Sequence, residues 1–234
     1  LGLGCWAFGG GEYWGERDQN LTDAMVRRAL EHGIDFFDTA ESYNDGRSEE
    51  ALGKALVGIP REKVIIGSKV SPNHLAPGLL EKSLETSLRR LGTAYVDLYM
   101  IHWPPTPSGI RHYTSDAVAP ATLEAAAEYL RGAQKRGLVR HVGVSNFSRG
   151  AFDRMGKVSV ATNELPYSLL TRGIEHRILP LMRERGAGVI AYMSLMQGLI
   201  GDKFAHLADI PPQRRRTRHF DSRTNPQIRH GEHG

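Results

Sequence analysis

The chain has 234 residues, of which 40% are hydrophobic and 24% charged, values that are ordinary for a globular protein. Its single cysteine, Cys5, excludes an intrachain disulfide and suits a reducing compartment. No apolar run of ~18 residues indicates a membrane span, and no secretory signal pattern is visible, so we expect a cytoplasmic protein without a membrane partner.

The net charge of +4 is concentrated at the C-terminal end. Residues 211–234 contain six arginines and two acidic residues, which leaves residues 1–210 balanced, with 24 basic against 24 acidic side chains. A nucleic-acid-binding face is usually spread over the folded body, so we expect no nucleic-acid partner.

Apolar segments of strand type alternate with helical patterns along the chain. Strands are predicted at residues 1–8, 34–38, 64–69, 96–102, 139–144, 158–162 and 188–193. The first predicted helix begins at Asn20 or Thr22 and ends at Gly33. The other predicted helices cover residues 48–57, 77–91, 121–136, 149–155 and 175–185. The proline-rich residues 104–120 are predicted to be a loop.

Seven alternating units predict a parallel sheet with helical crossovers. Because no Gly-x-Gly-x-x-Gly fingerprint is present, the pattern favours a (β/α)8 TIM barrel over a doubly wound sheet. We expect residues 1–234 to form one barrel domain. The sequence shows no eighth strand, so we expect the barrel to be incomplete at the C-terminus.

Chemically useful side chains gather at successive strand ends. Asp38 ends the second predicted strand, Lys69 the third and His102 the fourth, while Tyr43 follows Asp38 by five residues. Each alone has an ordinary explanation as a cap, a solvated charge or a packing residue. Together they suggest a lysine held by the aspartate, lowering the pKa of a proton-donating tyrosine, with the histidine orienting a carbonyl oxygen. No side chain can donate hydride, so a redox cofactor must supply it.

These residues lie in segments that resemble the aldo-keto reductase family. The segments are Phe-Phe-Asp-Thr-Ala-Glu-Ser-Tyr at 36–43, Asp-Leu-Tyr-Met-Ile-His-Trp-Pro at 97–104 and Gly-Val-Ser-Asn-Phe at 143–147. The resemblance implies a barrel enzyme that reduces aldehydes or ketones with NADPH. It implies that Tyr43 is the general acid, that Lys69 and Asp38 tune it, and that His102 positions the carbonyl.

The resemblance also implies a cofactor site. Its residues are Cys5, Trp6, Asp38, Ser145, Asn146, Glu164, Tyr192, Met193, Ser194, Leu195, Gln197 and Lys203. Ser145 and Asn146 match the pair that binds the nicotinamide carboxamide, and Tyr192 matches the aromatic residue that stacks on the nicotinamide ring. The pocket walls are expected to include Trp6, Trp14 and Trp103, and no metal site is predicted.

The chain departs from the family at two points. Glu164 replaces the usual glutamine, and a carboxylate accepts hydrogen bonds from the carboxamide without donating one. The basic motif for the adenosine 2′-phosphate is not visible, so the preference for NADPH is inherited from the family. The arginines at 214–218 are a candidate contact for that phosphate, although a solvated segment is the favoured interpretation.

Two rival functions stay open from the sequence. Some relatives bind the cofactor as regulatory subunits of channels, which predicts nicotinamide binding without turnover of an aldehyde. A phosphate-binding isomerase on the same fold would use Lys69 or His102, but it leaves Tyr43 unexplained. Neither the physiological substrate nor the oligomeric state follows from the sequence.

Overall fold

The structure is a computed structural model that describes residues 1–198, 200–202 and 204–210, without the side chains of Gln197 and Leu207. Its strands are β1 (Gly2–Gly4), β2 (Phe36–Asp38), β3 (Ile65–Val70), β4 (Val96–Ile101), β5 (Val139–Ser145), β6 (Val160–Pro166) and β7 (Gly188–Tyr192). Each strand pairs in parallel with the next in sequence, giving the order β1 to β7 in a single sheet. The described residues therefore form a curled part-barrel of seven parallel strands, which confirms the predicted fold class.

Helices connect the strands. They are α1 (Gln19–Glu31), α2 (Arg47–Ala55), α3 (Pro77–Leu91), α4 (Pro107–Arg111), α5 (Leu123–Lys135), α6 (Arg149–Asp153) and α7 (Ile174–Glu184). The limits predicted for α3 are confirmed: Pro77 opens it, and Gly92 closes it in the left-handed conformation at φ 64°.

Several predicted boundaries were wrong. The first helix begins after Asp18, whose carboxylate accepts a hydrogen bond from the Asn20 amide, so neither Asn20 nor Thr22 is its cap. The segment predicted as a loop at 104–120 contains α4, capped by the Thr106 hydroxyl with Pro107 in the first turn. The first strand is shorter than predicted, and β6 starts two residues later and continues past Glu164.

The side chains of strand β3 alternate between the core under the helices and the inside of the curved sheet. Ile66 and Val70 belong to the apolar core between sheet and helices, and the Ser68 hydroxyl donates a 2.6 Å hydrogen bond to Glu49 on α2. The intervening Lys69 lies on the other face, inside the curve of the sheet. This alternation follows from the two-residue repeat of a strand, and it places Lys69 in the interior.

A charged network lies near the opposite ends of the strands. Asp97 of β4 accepts hydrogen bonds from Arg61, from Arg140 and from the backbone amide of Ile66. Two guanidinium carbons lie over the ring of Tyr95, that of Arg61 at 4.0 Å and that of Arg140 at 4.1 Å from its centroid. Asp97 is buried but fully paired, so the network joins β4 to its neighbours without an unpaired charge.

No helix in the described part of the chain is long and apolar enough to cross a bilayer.

Candidate active site

Three neighbouring strands bring their polar ends to one edge of the sheet. Asp38 is the last residue of β2, Lys69 the penultimate residue of β3, and His102 follows β4 directly. Strands β2, β3 and β4 are parallel neighbours, so these side chains converge at the carboxyl edge, where barrel enzymes carry their active sites.

The Lys69 ammonium lies at the centre of the site and is fully buried. It donates to the two carboxylate oxygens of Asp38 at 2.7 and 2.8 Å, to the Thr39 carbonyl at 3.1 Å and to the Tyr43 hydroxyl oxygen at 3.0 Å. Burial by itself lowers the pKa of Lys69, but the carboxylates of Asp38 and Glu164 outweigh it and hold that pKa well above its ordinary value. Lys69 is therefore a fixed cation at neutral pH.

Tyr43 reaches Lys69 because the chain turns sharply after β2. Residues Tyr43–Gly46 form a tight turn in which Asn44, Asp45 and Gly46 all have left-handed backbones, at φ 53°, 57° and 86°. Asparagine and aspartate tolerate this conformation better than other side-chain-bearing residues. Gly46 is favoured at its position because φ 86° is strained for a residue with a side chain, and an added Cβ would also displace the Arg90 guanidinium.

An aromatic cluster forms one wall beside this turn. Trp6 stacks on Tyr13 with ring centroids 5.2 Å apart, and Trp14 meets Trp6 edge-on at the same distance. The side-chain amide of Asn44 donates to the backbone carbonyls of Trp6 at 2.7 Å and Phe8 at 2.8 Å. The left-handed turn is thus tied directly to the segment that presents the cluster.

His102 lies next to the tyrosine. Its ring centroid is 5.5 Å from that of Tyr43 and 5.5 Å from that of Tyr113, and its Nδ1 atom is 3.4 Å from the Ser42 hydroxyl oxygen. Burial and the nearby charge of Lys69 hold the pKa of His102 well below its ordinary value. The imidazole is therefore neutral at neutral pH, with one ring nitrogen able to donate a hydrogen bond.

The expected lowering of the Tyr43 pKa is wrong in its net direction. Burial raises the pKa of Tyr43 well above its ordinary value; the Lys69 ammonium opposes this, while the carboxylates of Asp38 and Glu164 add to it. Because burial and two carboxylates outweigh one ammonium, Tyr43 keeps its proton at neutral pH. A protonated phenol is the form that a proton donor requires.

Glu164 lies closer to the lysine than the sequence indicated. Its side chain is buried on β6, and its Oε2 atom is 3.4 Å from the Lys69 ammonium nitrogen. Burial raises the pKa of Glu164 to about 7, with the Lys69 charge acting in the opposite direction and Asp38 adding to the rise. Lys69 therefore faces two carboxylates rather than one.

Polar groups of β5 and β7 meet beside Glu164. The Ser145 hydroxyl donates to the Glu164 carbonyl at 3.1 Å, and the Asn146 amide donates to the Ser145 hydroxyl at 2.9 Å and the His102 carbonyl at 3.2 Å. The Tyr192 hydroxyl donates a 2.8 Å bond to Asn146 Oδ1. The bond restrains the Tyr192 ring, and the cluster places a hydroxyl, an amide and an aromatic ring together.

Of the other residues predicted to bind the cofactor, some line the cavity, while others are buried in the core, exposed or outside the described residues. Cys5 is fully buried in the apolar core, so its thiol does not line the cavity. Met193 lines the cavity, whereas Ser194 and Leu195 are exposed after β7. Lys203, the side chain of Gln197 and the arginines at 214–218 lie outside the described residues, as does any eighth strand after residue 210.

One cavity of about 1470 Å³ joins these groups. Its lining includes Trp6, Trp14, Asp38, Tyr43, His102, Trp103, Tyr113, Ser145, Asn146, Glu164 and Tyr192. All three tryptophans expected as walls line it. A phenol, a neutral imidazole and the polar cluster of Ser145, Asn146 and Tyr192 thus open on one space, beneath which Lys69 is buried.

Ser42 and Tyr113 line this cavity without having been predicted from the sequence, and Asn44, which bonds to the segment of the aromatic wall, was not predicted either. Ser42, beside the His102 ring, carries no pattern that distinguishes it from other turn residues. Tyr113 follows α4, and the Thr-Pro start of that helix was a usable signal. The role of Asn44 depends on its left-handed backbone, which an asparagine before Asp-Gly is able to indicate.

Known proteins share this architecture. The model of the Aldo/keto reductase family matches residues 1–228. The aldo-keto reductase YhdN of Bacillus subtilis is 34% identical over 213 residues, covering 87% of this chain and 60% of that protein. The NADH-specific methylglyoxal reductase of Escherichia coli is 31% identical over 222 residues, covering 86% and 64% respectively.

A solved structure of an aldo/keto reductase is also similar to this chain. An aldo/keto reductase from Klebsiella pneumoniae, in complex with NADP and acetate, superimposes with a TM-score of 0.71 at 32% identity, covering 86% of this chain and 66% of that one. The chain thus spans about two thirds or less of the length of these relatives.

Proposed function

The chain belongs to the aldo/keto reductase family, and on that premise we propose that it reduces an aldehyde or ketone to the alcohol with NADPH. The observation that carries the proposal is the buried contact of Lys69 with Asp38 and Tyr43, beside a neutral His102, on one cavity. Relatives named as methylglyoxal reductases support a small carbonyl substrate.

In this proposal Tyr43 gives its hydroxyl proton to the carbonyl oxygen. Lys69 donates to the tyrosine oxygen, so the Tyr43 proton is not used in that bond and is available on the cavity side. As the phenol loses its proton, the adjacent ammonium stabilises the developing phenolate. Asp38 holds the ammonium in position through both carboxylate oxygens.

His102 orients the same carbonyl. A neutral imidazole donates one hydrogen bond without competing as a strong acid, and its position beside the Tyr43 ring directs that bond towards the oxygen that receives the proton. The tryptophan walls exclude water from the apolar part of the substrate.

The residues present fit a nicotinamide. Ser145, Asn146 and Glu164 combine donors and acceptors suited to a carboxamide, and Tyr192 supplies an aromatic face restrained by Asn146. When bound, NADPH supplies the hydride that no side chain can provide. The preference for NADPH over NADH is a proposal only. One relative is named NADH-specific, so membership of the family does not decide between the two cofactors.

A coupled test separates this function from binding alone. Purified protein with NADPH and methylglyoxal is expected to oxidise the nicotinamide in proportion to enzyme concentration and to form the alcohol. Cofactor binding without alcohol formation, for several aldehydes, would instead support a regulatory nicotinamide-binding protein.

A further inference from the structure

Glu164 is a buried charge with little compensation. Its side chain is 5% exposed, and its Oε2 atom is enclosed without a hydrogen-bond partner among the described residues. The Oε2 atom and the Lys69 ammonium nitrogen form an ion pair at 3.4 Å, a longer contact than the bonds of the ammonium to Asp38 and Tyr43. Burying a carboxylate in this way opposes folding, because its hydrogen bonding does not replace the lost hydration.

The ammonium has closer partners than this carboxylate. Its three N–H groups already serve Asp38, the Thr39 carbonyl and the Tyr43 hydroxyl, at 2.7 to 3.1 Å. An uncharged glutamine of nearly the same shape would occupy the Glu164 position without the burial penalty. What the carboxylate adds is negative charge next to the group that stabilises the Tyr43 phenolate.

We propose that Glu164 is a positioning residue that acts through Lys69 as its second counterion, so that the ionisation of Glu164 sets how readily Tyr43 releases its proton. The proposal rests on the reductase function proposed above and adds a control on its rate. With Glu164 protonated, Lys69 is balanced by Asp38 alone and favours the phenolate. With Glu164 ionised, the site holds two carboxylates for one ammonium, and the phenolate is disfavoured.

The charged and titratable groups around Glu164 act on one another in the direction that the proposal requires. Lys69 of β3 and Asp38 of β2 both act on its pKa, and Glu164 in turn raises the pKa of Tyr43 and of Tyr192 on β7. The neighbouring strand β5 presents only uncharged groups at this level in the described chain. Because burial raises the pKa of Glu164 to about 7, its ionisation falls in the physiological range.

The decisive experiment compares wild type with Glu164→Gln, Glu164→Asp and the exposed control Glu128→Gln. The readout is the single-turnover rate of aldehyde reduction by prebound NADPH between about pH 5.5 and 9, which avoids product release. Wild type and Glu128→Gln are expected to slow as pH rises through about 7. Glu164→Gln is expected to lose this inflection and to exceed wild type by about three- to tenfold at high pH, while Glu164→Asp retains an inflection.

A stability measurement tests the same charge without turnover. A glutamate whose folded pKa is raised contributes stability that is present below its ordinary value of 4.5 and lost as pH rises through about 7. The melting temperature of wild type is therefore expected to fall relative to Glu164→Gln across that window, while Glu128→Gln follows wild type.

The outcomes are distinct. Equal pH profiles and a constant difference in melting temperature would overturn the proposal, even if Glu164→Gln changed the dissociation constant of NADPH, because Glu164 would then be only a cofactor contact. Absence of turnover in wild type would refute the reductase function and with it the control on Tyr43. A pH-dependent gap in melting temperature would still establish that Glu164 ionises beside Lys69.

Discussion

The Lys69 ammonium nitrogen lies 3.0 Å from the Tyr43 hydroxyl oxygen and donates to it. Lysine has no acceptor, so this bond has one direction, and it leaves the tyrosine proton free for another partner. The same contact holds Lys69 where it stabilises negative charge on Tyr43. One geometry therefore supports both parts of the role proposed for Tyr43, which are donation of its proton and stabilisation of the phenolate that remains.

Replacing Lys69 by methionine tests the electrostatic balance of the site. The variant Lys69→Met leaves Asp38 and Glu164 buried without a cation, and we expect a loss of about 3–5 kcal/mol in the free energy of unfolding at neutral pH. Urea denaturation measures this loss. The double variant with Asp38→Asn is expected to recover part of it, and equal stability of all three proteins would contradict the charge balance described here.

The left-handed turn offers a matched pair of variants. Asn44→Gly keeps the backbone conformation but removes the bonds to the Trp6 and Phe8 carbonyls, so we expect a cost of about 1–2 kcal/mol and a lower kcat. Asp45→Gly changes an equally left-handed residue whose side chain is exposed, and it is expected to stay within about 0.5 kcal/mol of wild type. Thermal unfolding and steady-state kinetics of both proteins test the comparison, and similar behaviour would show that the Asn44 amide does not hold the aromatic wall.

Asp97 provides a structural control far from the cavity. Asp97→Ala removes the acceptor shared by Arg61 and Arg140, and a loss of about 1–3 kcal/mol in unfolding free energy is expected. The kcat and KM of the folded protein are expected to stay unchanged, because this network does not line the cavity. A selective change in kcat would mean that the two ends of the sheet are coupled.

Cofactor preference is the next prediction. Titration of the protein with NADPH and with NADH is expected to quench tryptophan fluorescence, because Trp6, Trp14 and Trp103 line the cavity. Tighter binding of NADPH is expected from the family resemblance. Equal affinities would indicate that no group of this chain discriminates the 2′-phosphate, and the absence of quenching with either would remove the nicotinamide site.

The strand ends were predictable from sequence because a parallel sheet gathers its carboxyl ends at one edge. Asp38, Lys69 and His102 followed from that rule alone, without knowledge of any contact. The proximity of Glu164 to Lys69 did not follow, because it depends on how strongly the sheet curls between β3 and β6. The rise in the pKa of Tyr43 was also not predictable from the sequence, because its largest cause is burial, which depends on the folded cavity.

Helix limits show the same division between local and tertiary causes. The limits of α3 were predicted because Pro77 and Gly92 act through local backbone geometry. The short α4 was missed because its five residues have no apolar periodicity, although it carries the chain to Tyr113 and thereby shapes the pocket over His102.

The most direct test of the account is the comparison of wild type with Tyr43→Phe, measuring aldehyde reduction and NADPH affinity on the same samples. We expect carbonyl reduction to fall by at least about a hundredfold, the range in which a general acid contributes. The dissociation constant of NADPH is expected to stay close to that of wild type. Reduction at a near wild-type rate by Tyr43→Phe would contradict the assignment of Tyr43 as the proton donor.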